Sequence, residues 1–553
     1  MRPDSSSKKI GRSCSAAALI LACAAAPACG NAVLGIQLDL VTKVCPGAAA
    51  DGSRDPVAGV TDIRVRLTGD NLEPMTVTAP YSAGAVKVPN IPVGTNRRVT
   101  VEALKGPAVR ARADSGLFDA SGPDDLKLRL YLHVVDAFTL TGDAASATCT
   151  QMTVARAGHA MANLPDGRVL ITGGFSVNSS GQLVPHGEAE IFDPATGQFA
   201  TVPSSQFRRS GHSALQVAVG GSKTGILVLG GEGFDDSGAA AGPIKELELF
   251  ASGLWRTVQP APATPAREHQ AAAVDLRTGY ALVVGGQSGP DSRGPAVFDT
   301  ASYYDPMTGA VRDVATHLGG GAVTDAVAVP RLNKVANGPA QGGIVLVGGR
   351  DRNLAVSKQI SALLWRDTAN DFVNDAVFAV PELSSLPTPR ANHAALRLAD
   401  DTILTAGGVT AYGPLGLDYA APTDAVTIID PSKAYVADVA RLVQPRADAC
   451  AAVLEDGSVL VAGGAWRDGN GLHAGQNAEL IKPAGRDTTV RNLQGPAQGS
   501  GWSLQQGRYR ASCLRLRNGS VLVTGGLNVT AAGAIPSALQ SAELYTPASA
   551  TAP

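Results

Sequence analysis

The sequence predicts an all-β fold: a seven-fold repeat of small β-sheets, preceded by a small β-sandwich domain. Seven glycine pairs recur at intervals of 55 to 63 residues. Each pair ends a short apolar run of strand character, such as residues 169–172 or 521–524. A long fixed period built on strand-like runs indicates a repeat architecture rather than a single globular core. The pairs are Gly173-Gly174, Gly230-Gly231, Gly285-Gly286, Gly348-Gly349, Gly407-Gly408, Gly463-Gly464 and Gly525-Gly526.

Each repeat contains the signals of four short strands. In the first repeat, an Arg-x-x-His segment at residues 156–159 precedes the first strand, and the Asp166-Gly167 turn leads into the second strand. A third and a fourth strand are expected at residues 190–194 and 199–202. Asp-Gly turns suit tight hairpins because glycine tolerates a positive φ.

These motifs resemble the Kelch family, whose repeats are four-stranded propeller blades in which a double glycine ends the second strand. The resemblance covers residues 146–553 and implies a seven-bladed Kelch-like β-propeller. The fourth repeat departs from the pattern, since it keeps Gly348-Gly349 but has no Arg-x-x-His segment. Too few residues follow residue 547 for a last outer strand. Residues 147–152 are therefore predicted to complete the seventh blade and close the ring.

The N-terminus has the features of an export signal. Residues 1–22 combine basic side chains with a short apolar stretch that cannot span a bilayer. Ile20-Leu21-Ala22-Cys23 resembles a bacterial lipobox, which implies lipidation of Cys23 and a tether at residues 23–30. Ala24 after that cysteine implies an outer-membrane lipoprotein. Two alternatives stay open: lipidation of Cys29, or a secretory cut that leaves a periplasmic or secreted protein.

Residues 31–143 form the second predicted domain. Residues 35–40, 62–67 and 126–133 alternate between apolar and polar side chains and are separated by turn residues. This pattern predicts a small antiparallel β-sandwich. Gly94-Thr95 ahead of residues 99–102 is similar to immunoglobulin-like or prealbumin-like modules of secreted proteins.

The cysteines indicate an oxidising compartment. Alignment on the glycine pairs places Cys450 and Cys513 on the innermost strands of neighbouring repeats, with opposite strand parity. Residues that meet across neighbouring sheets should differ in parity, so a disulfide is predicted between these two. Two buried small hydrophobic side chains are the alternative. The pairing of Cys29, Cys45 and Cys149 stays open, and one of them is free if Cys23 carries the lipid.

Composition and histidine placement argue against two classes of partner. The formal net charge of −2 and the lack of a basic stretch give no indication of nucleic acid. No metal or other cofactor is predicted, because no His-x-x-x-His or Cys-x-x-Cys spacing occurs. Four histidines recur at nearly the same place in their repeats, which indicates a structural role. They are His159, His212, His269 and His393.

Arginines that precede the first strands are expected to surround one mouth of a central channel. Such a ring can bind carboxylate or phosphate ligands. An Arg–Glu pair that staples each blade is the favoured interpretation, because repeats 1, 2, 6 and 7 carry Glu at one third-strand position. Ser302 and Thr427 replace that Glu in repeats 3 and 5, so Arg267 and Arg390 are expected to meet an anionic ligand. The arginines are Arg156, Arg209, Arg267, Arg390, Arg446 and Arg508.

The long loops after the glycine pairs are the other candidate surface, since binding residues concentrate in loops on a rigid scaffold. Tyr412, Tyr419, Trp466 and His473 lie in them and are candidates for stacking on sugar rings. Ordinary loop packing is the alternative.

The function that follows is a binding or interaction module at the cell envelope. The expected protein is a monomer held at the membrane only by its lipid, with a polysaccharide or an envelope or extracellular protein as partner. Enzymes on the same scaffold are the alternatives. Sialate epimerases use Kelch propellers with an Arg-rich mouth, and would place a sugar carboxylate at Arg267 and Arg390. Galactose oxidase-like enzymes need a copper site and a Cys–Tyr crosslink, which the sequence does not show.

Overall fold

The computed structural model describes residues 33–42, 45, 55–81, 90–121, 126–143, 148–220, 223–235, 240–260, 264–289, 294–333, 341–412, 419, 421–493, 502–531 and 533–548. Within these ranges the regular elements are β-strands and two short 3₁₀ helices, Ala376–Ala379 and Gly485–Asp487, which confirms the all-β prediction. No helix within these ranges is long and apolar enough to cross a bilayer. The predicted signal peptide and tether, with Cys23 and Cys29, lie outside the described residues.

The chain forms two compact units. The first takes in Met1–Val44 and Asp55–Val134, and the second takes in Cys45–Arg54 and Val135–Pro553. The boundary between the predicted domains therefore falls about ten residues earlier than the sequence indicates, because the strand after Val135 belongs to the second unit.

The first unit has one hydrophobic core. In its described part β10, β7, β6, β3 and β4 form an antiparallel sheet, while β1 pairs with β5 and β2 pairs in parallel with β9. Alternate side chains of β3 turn inward, and Ile63, Val65 and Leu67 pack with Leu38 and Leu40. The expectation of a wholly antiparallel sandwich is thus wrong at β2–β9. The strands are β1 (Val33–Leu34), β2 (Ile36–Val41), β3 (Asp62–Gly69), β4 (Leu72–Pro80), β5 (Ile91–Pro92), β6 (Gly94–Lys105), β7 (Ala108–Asp114), β8 (Phe118–Ala120), β9 (Leu126–Tyr131) and β10 (His133–Val134).

The second unit contains the remaining strands. They are β11 (Ala137–Leu140), β12 (Gly142–Asp143), β13 (Thr148–Cys149), β14 (Ala160–Asn163), β15 (Val169–Thr172), β16 (Phe175–Val177), β17 (Leu183–Pro185), β18 (Ala189–Asp193), β19 (Gln198–Val202), β20 (Arg209–Ser210), β21 (Ser213–Ala218), β22 (Thr224–Leu229), β23 (Glu232–Phe234), β24 (Ala240–Pro243), β25 (Leu247–Ala251), β26 (Leu254–Val258), β27 (Ala271–Val274), β28 (Ala281–Val284), β29 (Ala301–Asp305), β30 (Ala310–Asp313), β31 (Val327–Asn333), β32 (Gln341–Val347), β33 (Ile360–Arg366), β34 (Asp371–Asn374), β35 (Ala394–Arg397), β36 (Ile403–Ala406), β37 (Ala425–Asp430), β38 (Tyr435–Arg441), β39 (Cys450–Val453), β40 (Val459–Ala462), β41 (Ala465–Asp468), β42 (Gly471–Ala474), β43 (Ala478–Lys482), β44 (Thr489–Asn492), β45 (Ser512–Arg515), β46 (Val521–Thr524), β47 (Leu527–Asn528), β48 (Ser537–Ala538) and β49 (Ala542–Thr546).

The described strands of this unit form seven four-stranded antiparallel sheets, one for each glycine pair. Sheets 1 to 7 are β14-β15-β18-β19, β21-β22-β25-β26, β27-β28-β29-β30, β31-β32-β33-β34, β35-β36-β37-β38, β39-β40-β43-β44 and β45-β46-β49-β11. The first strand of each sheet contacts the first strand of the next, and β45 contacts β14. These seven strands therefore form a closed ring.

An N-terminal strand completes the last sheet, but it is not the predicted one. Strand β11 (Ala137–Leu140) pairs with β49, and Phe138 packs fully buried against Tyr545. The prediction of residues 147–152 is wrong because only the end of that segment touches the sheet, through the bridge between Gln151 and Ser541.

The glycine pairs join neighbouring sheets. The second glycine of a pair donates its N–H to the carbonyl oxygen at the start of the next repeat, as Gly174 does to Arg209 at 2.8 Å. Five further pairs repeat this bond. At Gly231 the side-chain oxygen of Gln270 is the acceptor instead, at 3.2 Å. A Cβ on Gly173 would lie 2.6 Å from the Arg209 carbonyl oxygen, so the close approach requires glycine.

Candidate functional site

One residue of each repeat faces a common cavity from a left-handed backbone. It stands two positions after the arginine that precedes the first strand, or after Val323 in the fourth repeat, which lacks that arginine. All seven have a φ between 49° and 62°, and all line the same cavity. These rim residues are Gly158, Gly211, His269, Asp325, Asn392, Asp448 and Arg510.

Five of the rim residues are not glycine, so their backbone is strained. The left-handed region costs an L-residue about 1–2 kcal/mol, and such strain collects at functional sites. Hydrogen bonds between neighbouring repeats hold the rim in place. Asp325 donates its N–H to the His269 carbonyl oxygen at 2.9 Å, and Arg510 donates to that of Asp448 at 3.1 Å. The rim is therefore preorganised.

The rim surrounds a cavity of about 700 Å³, called the central pocket here. Glu232 and Arg350, which directly follow their glycine pairs, add charged walls, and Tyr412 contributes from a loop. Phe175 and Leu183 form an apolar wall beside the first repeat. The central pocket thus combines fixed polar groups with one apolar side.

Asp325 binds two basic side chains at one side of the central pocket. It pairs with His269 Nδ1 at 2.8 Å and with the guanidinium of Arg350. Burial alone would raise the pKa of Asp325, but the hydrogen bond and charge of His269 and the charge of Arg350 hold it below its usual value. Burial lowers the pKa of His269 and Asp325 outweighs this, so the pKa of His269 is raised. The carboxylate orients the imidazole and leaves Nε2 without a partner among the described residues.

Asp448 organises a second group of side chains at the central pocket. Its Oδ2 accepts hydrogen bonds from the Tyr419 hydroxyl at 2.5 Å and from Arg510 Nε at 3.1 Å. Tyr419 is only 4% exposed and packs edge-on against Tyr509. The expectation that Tyr419 stacks on a sugar is therefore wrong, because its ring belongs to the core beneath the rim.

The other aromatic candidates divide between the pocket and a separate hairpin. Tyr412 lines the central pocket, donates its hydroxyl to Asn392 Oδ1 at 3.0 Å and lies 5.2 Å below the Arg350 guanidinium. Trp466 and His473 stack on each other across the hairpin β41–β42, with ring centroids 5.2 Å apart. They do not line the central pocket.

Two glutamates enter the central pocket from neighbouring repeats. Glu268 is 5% exposed, and its Oε1 accepts a bond from Gln287 Nε2 at 3.2 Å. Glu232 is half-buried, and no described residue donates a hydrogen bond to its carboxyl. Burial raises the pKa of Glu232 and the charge of Glu268 adds to the effect, while the charges of His269 and Arg510 oppose it without cancelling it.

The arginines before the first strands point into their own sheets rather than into the pocket. In repeats 1, 2, 6 and 7 each forms a fully buried ion pair with the third-strand Glu, such as Arg446 with Glu479 at 2.5 Å. The remaining pairs are Arg156–Glu190, Arg209–Glu248 and Arg508–Glu543. This is the arrangement that the repeated glutamates indicate.

Arg267 and Arg390 are not free to meet a ligand, so that prediction is wrong. Arg267 is 2% exposed and donates to Gly285 and Thr300, and Arg390 is fully buried and donates to Thr405, Ala425 and Thr427. Burial lowers the pKa of each to about 10. In sheets 3 and 5 an aspartate on the fourth strand stands in for the third-strand glutamate of the other sheets. Ser302 donates to Asp313 at 2.8 Å, and Thr427 donates to Asp438 at 2.6 Å.

Three of the four repeat histidines lie in the packing between sheets. His159, His212 and His393 are each less than 8% exposed, and burial lowers the pKa of His212 and of His393 to about 3. His269 is different, because it stands one position earlier, on the rim, while Gln270 takes the buried position. Within the described residues no group of three His, Cys, Asp or Glu side chains is placed to hold a metal ion.

The four cysteines among the described residues form two disulfides. Cys450 pairs with Cys513 across sheets 6 and 7, with a Cα–Cα distance of 5.4 Å, and Cys45 pairs with Cys149. Cys450 and Cys513 are the pair that strand parity indicates.

Comparisons with known proteins add a distant structural likeness. No protein-family description matches the chain, and no curated protein matches it either. The solved structure titled "Structure of YjhT" is similar, with 15% identity and a TM-score of 0.43. The alignment covers 62% of this chain and 99% of that chain. A likeness this weak carries no inference about function.

The most important pocket residues escape sequence analysis. Asp325, Asp448 and Arg510 differ in type from repeat to repeat, so no motif marks them. The only signal is their position in the repeat. Each stands two residues after the arginine that precedes the first strand, or after Val323 in the fourth repeat, at the position where repeats 1 and 2 have glycine.

Proposed function

We propose that the second unit is a seven-bladed propeller of the Kelch type that binds a saccharide in its central pocket. The observation that carries this proposal is the left-handed backbone of five polar rim residues around one cavity. Glycine would occupy these positions without strain, as it does in repeats 1 and 2. Polar side chains kept there at a cost in stability support a role in binding.

The ring of sheets supports the propeller assignment. Seven four-stranded sheets follow one another in chain order, and their first strands contact in a closed circle. Closure of the ring by an N-terminal strand protects the edges, as is usual in propellers.

The chemistry of the pocket favours a saccharide. Sugar hydroxyls both donate and accept hydrogen bonds, and the face of a sugar ring is less polar than its edge. Asn392 and Arg510 offer donors, Asp448 offers acceptor oxygens, and Phe175 lies on the apolar wall. The cavity of about 700 Å³ falls within the range of small-molecule sites, about 300–1,000 Å³. A polysaccharide end or a short oligosaccharide is the form of ligand that we propose.

We further propose that the protein is exported and lipid-anchored at the outer membrane through Cys23. Two disulfides support an oxidising compartment. The pairing of Cys45 with Cys149 leaves Cys29 without a described partner, so lipidation at Cys29 remains the rival assignment. A monomer that meets an extracellular polysaccharide fits this location.

Catalysis in the same pocket is the second candidate function. The observation that favours it is His269, whose Nδ1 is held by Asp325 while Nε2 has no described partner. An oriented imidazole of raised pKa is suited to general acid–base chemistry. Turnover of a bound saccharide that Asp325→Asn abolishes would establish this role.

The binding proposal is tested by an array of neutral, basic and acidic glycans probed with the purified chain and with Asn392→Gly. This variant copies the rim glycine of repeats 1 and 2. We expect it to weaken binding of the captured glycan about tenfold, the loss of one hydrogen bond to a charged or polar partner. Stability should change by no more than about 1 kcal/mol, because relief of the strained backbone offsets the loss of the hydrogen bond from the Tyr412 hydroxyl.

Asn370→Gly is the matched control. Asn370 also has a positive φ, of 49°, but lies exposed in the turn between β33 and β34. The control should gain up to about 1 kcal/mol from the relieved backbone and keep full binding. Capture of no glycan, or equal binding by Asn392→Gly, contradicts the proposed function.

A further inference from the structure

We propose that the saccharide bound in the central pocket carries a short aliphatic substituent, which packs against Leu183 and Ile535 at the edge of the pocket. This inference rests on the proposed function and names the class of ligand for the same pocket.

The hairpin β16–β17 turns an apolar face toward the pocket. Successive side chains of a strand point to opposite faces, and Phe175 pairs with Pro185 as Val177 pairs with Leu183. These four apolar residues therefore share one face of the hairpin. Phe175 and Leu183 line the central pocket, which identifies this face as the one that borders it.

The apolar face is particular to the first repeat. Phe175 directly follows its glycine pair, and the residues at the same position in repeats 2 and 4 also line the pocket. Those residues are Glu232 and Arg350, which are charged. The first repeat therefore gives the pocket an apolar side where two other repeats place a charge.

Packing between hairpins accounts for only part of this apolar surface. Strand β16 contacts β48 of the last repeat, and Phe175 and Leu527 are buried in one cluster. Leu183 nevertheless stays 40% exposed, and Ile535 stays 51% exposed. These two side chains therefore present apolar area that the packing of the hairpins does not cover.

Leu183 and Ile535 border the same turn. A Cβ on Gly181, which lies in the turn of β16–β17 two residues before Leu183, would be 3.9 Å from Cδ1 of Ile535. The exposed side chains of the first and last repeats thus lie at one place, which we call the apolar edge.

The apolar edge continues the wall of the pocket. Single exposed apolar side chains are normal, but exposed apolar side chains that adjoin a ligand pocket mark a binding surface. Leu183 belongs to both the wall and the edge, so a group attached to a bound sugar reaches the edge directly. An aliphatic group there removes apolar area from water on both partners, whereas an apolar surface cannot replace the hydration of a charged group.

The test uses calorimetry with the full chain and matched methyl and hexyl β-glycosides of glucose, galactose, mannose and N-acetylglucosamine. We expect a hexyl glycoside to bind at least about tenfold more tightly than the methyl glycoside of the same sugar, the effect of about two buried methylene groups. The heat-capacity change of binding should be more negative for the hexyl glycoside, because more apolar surface is buried.

Leu183→Ser and Ile535→Ser each remove apolar area from the edge at an exposed position, so the fold should persist. Each should reduce the preference for hexyl over methyl at least about threefold. Leu254→Ser is the control and should change neither affinity, because Leu254 is 69% exposed at the start of β26 and does not line the central pocket.

Equal affinity for methyl and hexyl glycosides, or a hexyl preference that both variants retain, would overturn the proposed substituent while the pocket remains a saccharide site. The same conclusion follows if the glycan array captures a glycan and none of the hexyl glycosides binds. An array that captures no glycan would overturn the proposed function as well.

Discussion

Gly526 donates its backbone N–H to the carbonyl oxygen of Arg156 at 2.9 Å, which joins the last sheet of the ring to the first. The side chain of the same arginine turns into sheet 1, where Nη2 donates to Glu190 Oε1 at 2.7 Å. The backbone of Arg156 thus closes the ring between sheets, while its guanidinium ties strands within a sheet. Because the two contacts are separate, each should contribute its own share of stability.

Gly525→Ala should destabilise the ring at its closure. Gly525 has a φ of 56°, and a Cβ there would meet the Arg156 carbonyl oxygen and lie 2.9 Å from His159 Cε1. We expect a loss of about 1 kcal/mol from the positive φ and a further 1–3 kcal/mol from overpacking. Urea unfolding followed by circular dichroism measures the sum.

The control for this substitution is Gly533→Ala. Gly533 has a φ of 75°, and a Cβ would meet nothing within 4 Å. It should show the backbone cost alone. If the two variants lose the same stability, the close approach at Gly525 is not what requires the glycine pair.

Glu479→Gln should be more damaging than loss of the whole ion pair. Arg446 and Glu479 are both fully buried, so the single change leaves a guanidinium without a counter-charge. The expected loss is about 3–5 kcal/mol. The double variant Arg446→Val/Glu479→Ser copies sheet 4, where Val323 and Ser361 stand at these positions, and should be the more stable of the two.

An exposed pair supplies the comparison. Arg168 and Asp166 form an ion pair at 2.7 Å, with side chains 47% and 49% exposed. Asp166→Asn should cost less than about 1 kcal/mol. A double variant that unfolds at lower urea than Glu479→Gln would show that the buried pair contributes net stability rather than only avoiding an unpaired charge.

The sequence predicts the fold correctly where backbone geometry restricts the residue type. The glycine pairs recur because close contact between sheets excludes a Cβ, and the third-strand glutamates recur because a buried arginine needs a carboxylate. The prediction of the strand that closes the ring was wrong, since residues 137–140 and 147–152 are both short segments of strand-like composition. Burial of Phe138 against Tyr545 decides between them, and this is a tertiary contact that the local pattern does not contain.

The candidate site was less predictable for a related reason. The rim residues have a positive φ in common rather than a residue type. A sequence indicates a positive φ only where the residue is glycine. The ligand-binding prediction for Arg267 and Arg390 was wrong because the carboxylates near them, Asp313 and Asp438, lie on the fourth strand of their sheets. An alignment of third strands does not include these aspartates. The structural role predicted for His269 was wrong because Gln270, and not His269, occupies the buried position between sheets.

Acid should destabilise the second unit through its buried histidines. Burial lowers the pKa of His393 to about 3, and the charge of Arg390 adds to the effect. In the unfolded chain the histidine has an ordinary pKa of about 6.5. Between pH 3 and pH 6.5 the unfolded chain therefore binds a proton at this histidine and the folded protein does not. The stabilising contribution is complete above pH 6.5 and falls by about 1.4 kcal/mol per pH unit for each such histidine as the pH drops toward 3.

His393→Gln should reduce that slope by one histidine's share, because Gln270 shows that glutamine fits the equivalent position in repeat 3. The measurement is urea stability at pH 7, 6, 5 and 4 for the natural chain and the variant. His317→Gln is the control for the substitution itself, because the His317 side chain is 69% exposed and lies outside the packing between sheets. Parallel stability curves for His393→Gln and the natural chain would mean that His393 already takes up its proton in the folded state.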